Sequence, residues 1–264
     1  MENILKKIIN KKKDNILNYK KKYSENFLLN NIDASINFIS FKDKMIDRYY
    51  KKKISIIAEI KKASPSAGLL VKNFDYLNIA KIYSENGASF LSVLTEEDFF
   101  LGKLDYIKNI KKNVKLPILC KDFFIDTYQV PLAKSFGADC ILIILSAVDK
   151  YLAKDLYEAA LNLNMSVLVE VHSEKESEFA LSLDKSIIGI NNRNLKTLEI
   201  SLETSVSLFK ILKNHKNPLV SESGIHSSEE IKFILEKTDI KSFLIGESLL
   251  TSDDIPSKLK NLLK

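Results

Sequence analysis

Arginine is almost missing from this chain: of 40 basic residues only Arg48 and Arg193 are arginine. Lysine therefore carries nearly every generic positive charge. Arginine supplies a planar fork of donors that lysine cannot. Arg193, inside GINNRN at the end of an apolar run, is a site candidate on that ground, with chance retention as the alternative. Glycine and proline are also scarce, seven and five in 264 residues, and no low-complexity linker divides the chain. No GxGxxG follows the first apolar run, which argues against a dinucleotide fold. The three histidines, His172, His215 and His226, lie far apart without metal-ligand spacing, so no metal site is expected. No GxSxG or Cys–His motif is present. The two cysteines, Cys120 and Cys140, fall in predicted strands. Free buried thiols in a reducing cytoplasm are expected rather than a disulfide. No apolar run approaches the roughly 20 residues that span a bilayer. The amino-terminal MENILKKIINKKKDN has no uninterrupted apolar core and no small-residue cleavage site, so no secretory signal is expected.

The net charge of +6 raises the question of nucleic acid. The lysines are spread along the chain among 34 acids. The densest cluster, Lys6 to Lys22, alternates with Ile4, Leu5, Ile8, Ile9, Ile16 and Leu17, which is helical periodicity with a solvated lysine face. No nucleic-acid partner is expected, and the positive charge favours an anionic small molecule only weakly.

Eight short apolar runs each end in a polar or glycine signature: ISIIAEIK (54–61), FLSVLTE (90–96), PILCKD (117–122), DCILIIL (139–145), MSVLVEVH (165–172), IIGINNRN (187–194), PLVSESG (218–224) and SFLIGES (242–248). Helical segments are predicted between and after them, near 74–86, 103–112, 126–136, 149–163, 173–183, 202–214, 227–237 and 253–263. Asp126, Asp149, Ser173, Ser227 and Ser252 are the expected caps, and Gly87 and Gly137 the expected left-handed helix ends. Residues 1–50 read as helical without strands: one helix near 2–22, then a second running to about Tyr50 with Asp33 or Ser35 as its cap. Strict β/α alternation argues for a parallel sheet and eight units for its closure. The expected fold is α/β, a (β/α)8 barrel of one domain over 1–264, with 1–50 a helical amino-terminal extension packed on it. An open doubly wound sheet is the alternative.

A parallel barrel collects its chemistry at the carboxyl ends of its strands. Residues of one parity share a strand face, and pointing the charged parity at the axis gathers Glu59, Lys61, Lys121, Glu170, Asn191 and Glu222 in one upper layer. The opposite parity would bury these charges unpaired beneath the helices. Lysines and carboxylates confined together suit acid–base chemistry; an ion-pair network that merely ties strands is the alternative. SESGI and LIGES, at the seventh and eighth strand ends, suggest a phosphate cradle of backbone N–H groups, with Gly224 and Gly246 allowing close approach. The first βα loop, KKASPSAGLL, is polar, with Ser64, Pro65, Ser66 and Gly68, and is placed to reach over a ligand. Phe99, Phe100, Phe123 and Phe124 cluster near the second and third strand ends. Core packing is their default; Phe123 could instead wall an aromatic ligand.

Together these stretches resemble the indole-3-glycerol phosphate synthase family. IAEIKKASPSAG, SVLTEEDFFLG, PILCKDFFID, GADCILIILS, LVEVHSEKE, IGINNRNLKTLEISLETS, LVSESGI and FLIGESLL carry the resemblance, in order, over most of 54–250. It implies a tryptophan-pathway carboxy-lyase that closes 1-(2-carboxyphenylamino)-1-deoxyribulose 5-phosphate to indole-3-glycerol phosphate, expected to be monofunctional because 264 residues leave no room for a second fused barrel. It implies Lys121 as catalytic acid, Glu170 as base, Lys61 as a second acid that holds substrate, and Glu59 as the group orienting both lysines. Ser64, Phe123, Asn191, Arg193 and Glu222 would bind substrate; Ser223, Gly224, Gly246 and Glu247 would hold its phosphate. Ala67 departs from the family pattern, where lysine often follows SPS. No cofactor, metal or membrane is implied, and a cytoplasmic monomer is expected. The competing readings are a neighbouring phosphate-binding barrel, such as phosphoribosylanthranilate isomerase or the tryptophan synthase α subunit, and a barrel turned scaffold or RNA binder.

Overall fold

In the computed structural model, which describes residues 4–194 and 197–264, eight parallel strands close into a barrel. They are β1 (Ser55–Ile60), β2 (Phe90–Leu94), β3 (Ile118–Lys121), β4 (Cys140–Ile144), β5 (Ser166–Val171), β6 (Ile187–Asn191), β7 (Leu219–Glu222) and β8 (Ser242–Ile245). Each pairs with its sequence neighbours, and β1 closes the ring against β8 through Ser55↔Ser242 to Ala58↔Ile245. Strands buried on both faces need apolar residues at both parities, and these have them. Ile57, Phe90, Leu119, Leu142, Leu168, Ile187, Val220 and Leu244 form the interior layer. Ile56, Ala58, Ile60, Val167 and Val169 pack outward against the helices. Each fully buried isoleucine or leucine contributes about 1.5–3 kcal/mol.

Among the described residues three helices precede the barrel: α1 (Ile4–Lys22), α2 (Glu25–Asn30) and α3 (Phe41–Tyr50). Residues 2 and 3 of the expected first helix lie outside the described residues. The expected cap at Asp33 or Ser35 is wrong. Asp33 instead accepts from the Ser35 N–H within a turn, and Ser40 caps α3 through the Asp43 N–H. Phe41 and Met45 of α3 join the interior layer, with the Phe41 ring 4.4 Å from that of Phe90. Arg48 uses the fork of its guanidinium here, donating to Ser55 Oγ at 2.9 Å and to the Ile54 carbonyl at 2.6 Å. One of the two arginines thus ties α3 to the start of β1.

The barrel helices begin and end close to the expected positions. Asp149, Ser173 and Ser227 cap as expected, Ser227 with Glu230 in a capping box. Two expected caps act one step removed. Asp126 accepts from the Tyr128 N–H ahead of the helix Gln129–Ser135. Ser252 accepts from Asp254, which itself caps Ile255–Leu262. Gly87 and Gly137 have φ of +104° and +96°, the left-handed ends their positions required. Both cysteines are free and buried, Cys140 inside the barrel and Cys120 in the outer layer.

α1 carries the charge pattern with one exception. Lys6, Lys11 and Lys13 are exposed, but Lys12 is 5% exposed and lies with Ile8 and Ile16 on the buried stripe. Its ammonium is 2.7 Å from Asp122 Oδ1, at the carboxyl end of β3. Asp122 also accepts from Thr95 Oγ1 at 2.7 Å. Leu17, expected on the apolar face, is 56% exposed.

Candidate active site

The carboxyl ends of the strands surround a cavity of about 470 Å³. Every candidate residue, from Glu59, Lys61 and Ser64 through Lys121, Phe123, Glu170, Asn191 and Arg193 to Glu222, Ser223, Gly224, Gly246 and Glu247, lines it. The charged strand-end side chains thus face the cavity rather than the outer helices.

Lys121 is the hub. Its ammonium lies 3.0 Å from Glu170 Oε2 and 2.7 Å from Glu222 Oε2. Glu170 and Glu222 are 2% and 1% exposed, so water screens little of this attraction. Burial disfavours the ammonium, but Glu170, Glu222 and Glu59 outweigh it and hold the Lys121 pKa above its ordinary value. The two carboxylates are unequal. Burial pushes Glu170 up, yet Lys121 and His172 outweigh it and leave its pKa below the usual carboxylate range. Burial, reinforced by nearby Glu170, raises Glu222 despite Lys121. Among the described residues Glu222 Oε1 has no hydrogen-bond partner. Paired titratable groups driven apart in this way can exchange a proton between fixed roles.

A second pair stands beside the first. Lys61 Nζ is 2.9 Å from Glu59 Oε1, and Ser92 Oγ donates to Glu59 Oε2 at 3.5 Å. Burial raises the Glu59 pKa, but Lys61 and Lys121 together bring it below normal. Gly246 makes room for this pair, since a Cβ there would come within 2.6 Å of Glu59 Oε1. That is a different demand from close approach to a phosphate.

Asn191 joins the acidic floor to the glycine loop. Its Nδ2 donates to Glu170 Oε1 at 3.1 Å, and its Oδ1 accepts from Ser223 Oγ at 2.9 Å and from the Arg193 N–H at 3.0 Å. Arg193 Nη1 donates to the Leu198 carbonyl at 3.3 Å. Leu195 and Lys196 of the motif INNRNLKTLEI lie outside the described residues. Ser223 and Gly224 have φ of +67° and +79°, a turn that aims consecutive backbone N–H groups to one side. Neither the Gly224 nor the Ile225 N–H is engaged by another group among the described residues. The opposite wall is apolar. Phe100 and Phe123, with ring centroids 6.2 Å apart, line it with Leu94, Ile144 and Ile8 of α1. Ser64 and Ser66 lie on a short hairpin, Ala63–Ser64 against Gly68–Leu69, at the cavity edge.

A sequence model of the indole-3-glycerol phosphate synthase family matches residues 5–262. The chain belongs to that family. It is 40% identical to the indole-3-glycerol phosphate synthase of Bordetella pertussis over 263 residues, covering all of both chains. It is 46% identical to that of Legionella pneumophila over 209 residues, covering 79% of this chain and 80% of the relative. Among solved structures, a 3-hexulose-6-phosphate synthase superposes with TM-score 0.62 at 14% identity, covering 79% of this chain and 98% of the other. The tryptophan synthase α subunit of Legionella pneumophila does so with TM-score 0.60 at 13% identity, covering 83% and 95%. Likeness at that identity concerns the barrel alone.

Three site features of this family member escaped the sequence reading. His172, given no role by its spacing from the other histidines, has its ring against Glu170. Asn192 is 2% exposed and pins the glycine loop from behind: its Nδ2 donates to the Ser223 carbonyl and to Ser221 Oγ, both at 3.0 Å, while its Oδ1 accepts from the N–H and Oγ of Ser205. All four of its hydrogen-bonding positions are filled. Gly189 lies on the strand next to Glu222, and the Glu222 carboxylate fills the space where a Cβ at position 189 would stand. His172 carried a signal, being two residues after Glu170 and so on the same strand face.

Proposed function

We propose that this cavity closes 1-(2-carboxyphenylamino)-1-deoxyribulose 5-phosphate to indole-3-glycerol phosphate, with loss of carbon dioxide and water. The observation that carries the reading is the half-buried Lys121 ammonium held between the buried carboxylates of Glu170 and Glu222 at the cavity floor.

Ring closure needs a proton on the ketone oxygen, so that the aryl carbon bearing the carboxylate can attack the carbonyl carbon. The carboxylate then leaves as carbon dioxide, and its electron pair restores the aromatic ring. Finally the new hydroxyl departs as water, taking a second proton, while a base removes a proton from the adjacent carbon. Lys121 and Lys61 are the proton donors in this reading. Lys121 begins charged because its carboxylate neighbours keep it so. Glu170, held ionised, is the base. Glu59 orients Lys61 through their ion pair. Asn191, Arg193, Glu222 and Ser64 hold the ribulose hydroxyls. The phosphate takes the N–H groups of the Ser223–Gly224 turn and of Gly246 and Glu247, and Phe123 with Phe100 covers the aryl ring. A single proton-transfer group is worth about 10²–10⁴ in rate.

The ligand is thus a phosphorylated small molecule. Among the described residues no helix is long and apolar enough to cross a membrane. The reading includes a monomer, since one chain supplies every group named here. It also includes the cytoplasm, where thiols such as those of Cys120 and Cys140 stay reduced. The test is to add the carboxyphenylamino-ribulose phosphate and follow indole fluorescence. Growth of signal supports the synthase. Turnover of phosphoribosylanthranilate instead would select the isomerase reading, and salt-sensitive binding of RNA without turnover the binder.

A further inference from the structure

His172 is a titratable group with buried ring nitrogens that the mechanism above leaves unused. It follows β5, its side chain is 12% exposed, and it lies between two carboxylates. Nε2 is 3.2 Å from Glu170 Oε1, and Nδ1 is 3.5 Å from Glu176 Oε2. Glu176, in the first turn of the helix Glu174–Ala180, is itself fixed by the His172 backbone N–H at 2.7 Å. Both ring nitrogens are shielded from water, and neither is aligned for a hydrogen bond among the described residues.

Glu170 is a carboxylate with its two oxygens in different service. Oε2 faces Lys121 at 3.0 Å, while Oε1 accepts from the Asn191 amide at 3.1 Å and lies 3.2 Å from His172 Nε2. We propose that His172 is a positioning residue for Glu170, a cation behind the carboxylate that fixes Oε1 and leaves Oε2 to work with Lys121 in the cavity. The groups facing the imidazole are Glu170 on the preceding strand β5 and Glu176 on the following helix, with Lys121 of β3 on the far side of Glu170. Two acids near one imidazole favour its protonated form. Burial lowers the His172 pKa, but contact with Glu170 and Glu176 more than offsets this and raises it to about 9. A cation so placed lowers the energy of ionised Glu170. It makes Glu170 a weaker base at rest but a reliably charged one, at a fixed angle to Lys121. The inference rests on the reading of Glu170 as the base.

The experiment compares His172→Gln, Glu170→Gln, the double variant and Glu176→Gln in steady-state turnover across pH. His172→Gln is expected to lose about tenfold in kcat, the equivalent of one pKa unit, with KM within about twofold. The alkaline limb of the wild-type kcat profile is expected to move in this variant. In the Glu170→Gln background the His172 substitution is expected to cost nothing further, because its effect passes through Glu170. Glu176→Gln is expected to shift the same limb by less. Equal losses from His172→Gln in both backgrounds, or an unchanged pH profile, overturn the proposal. Should His172→Gln not fold, NMR titration of the wild-type imidazole decides. A His172 pKa well above the ordinary value, falling by a unit or more in Glu170→Gln, supports the proposal, and an ordinary value overturns it. Full activity in Glu170→Gln would instead remove the reading of Glu170 as base, whatever the histidine titration shows.

Discussion

Gly189 on β6 leaves open the space that the Glu222 carboxylate of β7 occupies: a methyl group at position 189 would overlap Glu222 Oε1. Without that space Glu222 could not lie along the barrel interior with Oε2 2.7 Å from Lys121. Gly189→Ala is expected to turn the carboxylate away from the ammonium. Misplacement of a catalytic constellation by about 1 Å costs on the order of 10²-fold. Turnover is expected to fall by that much while the melting temperature moves little, because a rotatable side chain yields first. Wild-type turnover in Gly189→Ala would count against the role given to the Lys121–Glu222 pair.

Asn192 holds the carbonyl of Ser223, a residue in the left-handed region. Asn192→Ala is expected to raise KM at least tenfold and to weaken competitive inhibition by inorganic phosphate in step, with kcat reduced less. The measurement is the KM-against-kcat split together with the phosphate inhibition constant. Loss confined to kcat would place the residue elsewhere in the chemistry.

The barrel could be read from the sequence because its two determinants are local. Runs such as ISIIAEI are apolar at both parities, and each is followed by a helix of roughly the expected length. The floor of the site was legible for a similar reason. Parity along one strand puts Glu170 on the Leu168 face, and a buried charge must point at its partners. What could not be read depends on contacts between distant elements. Nothing near Asn192 announces that Ser205 and Ser221 will meet it, and nothing near Gly189 announces Glu222. Lys12 looks like its neighbours in KKK. Only the spacing Ile8, Lys12, Ile16 sets it apart, and the partner Asp122 is 110 positions away in sequence. The cap misassigned to Asp33 shows a further limit, since an aspartate can close a turn as readily as it starts a helix.

Lys12 gives a sharp stability contrast. Removing one partner of a buried ion pair typically costs about 3–5 kcal/mol, whereas an exposed substitution changes stability by about 0.5 kcal/mol or less. Asp122 keeps Thr95 as a second partner, so Lys12→Ala is expected near the lower end of the first range. Lys13→Ala is expected within the second. Urea denaturation of the two variants checks this, and equal midpoints would contradict the buried pairing.

His172 links stability to pH. Its folded pKa, about 9, stands above the ordinary value of about 6.5. The folded state therefore binds its proton more tightly than the unfolded state. The stabilisation is fully present below about pH 6.5 and is lost as pH rises through about 9. The stability difference between wild type and His172→Gln is expected to shrink across that window. Denaturation curves at both ends measure it, and a constant difference would show that the imidazole is not held charged.

In the proposed reaction Lys121, gripped by Glu170 and Glu222, drives ring closure. The most direct measurement is single-turnover indole formation from the carboxyphenylamino-ribulose phosphate by wild type and by Lys121→Ala, with folding checked by circular dichroism. The predicted result is rapid product formation by the wild type and a loss of at least about 10² in the variant, with its spectrum unchanged. Near-normal closure by folded Lys121→Ala, or none by folded wild type, would contradict the account.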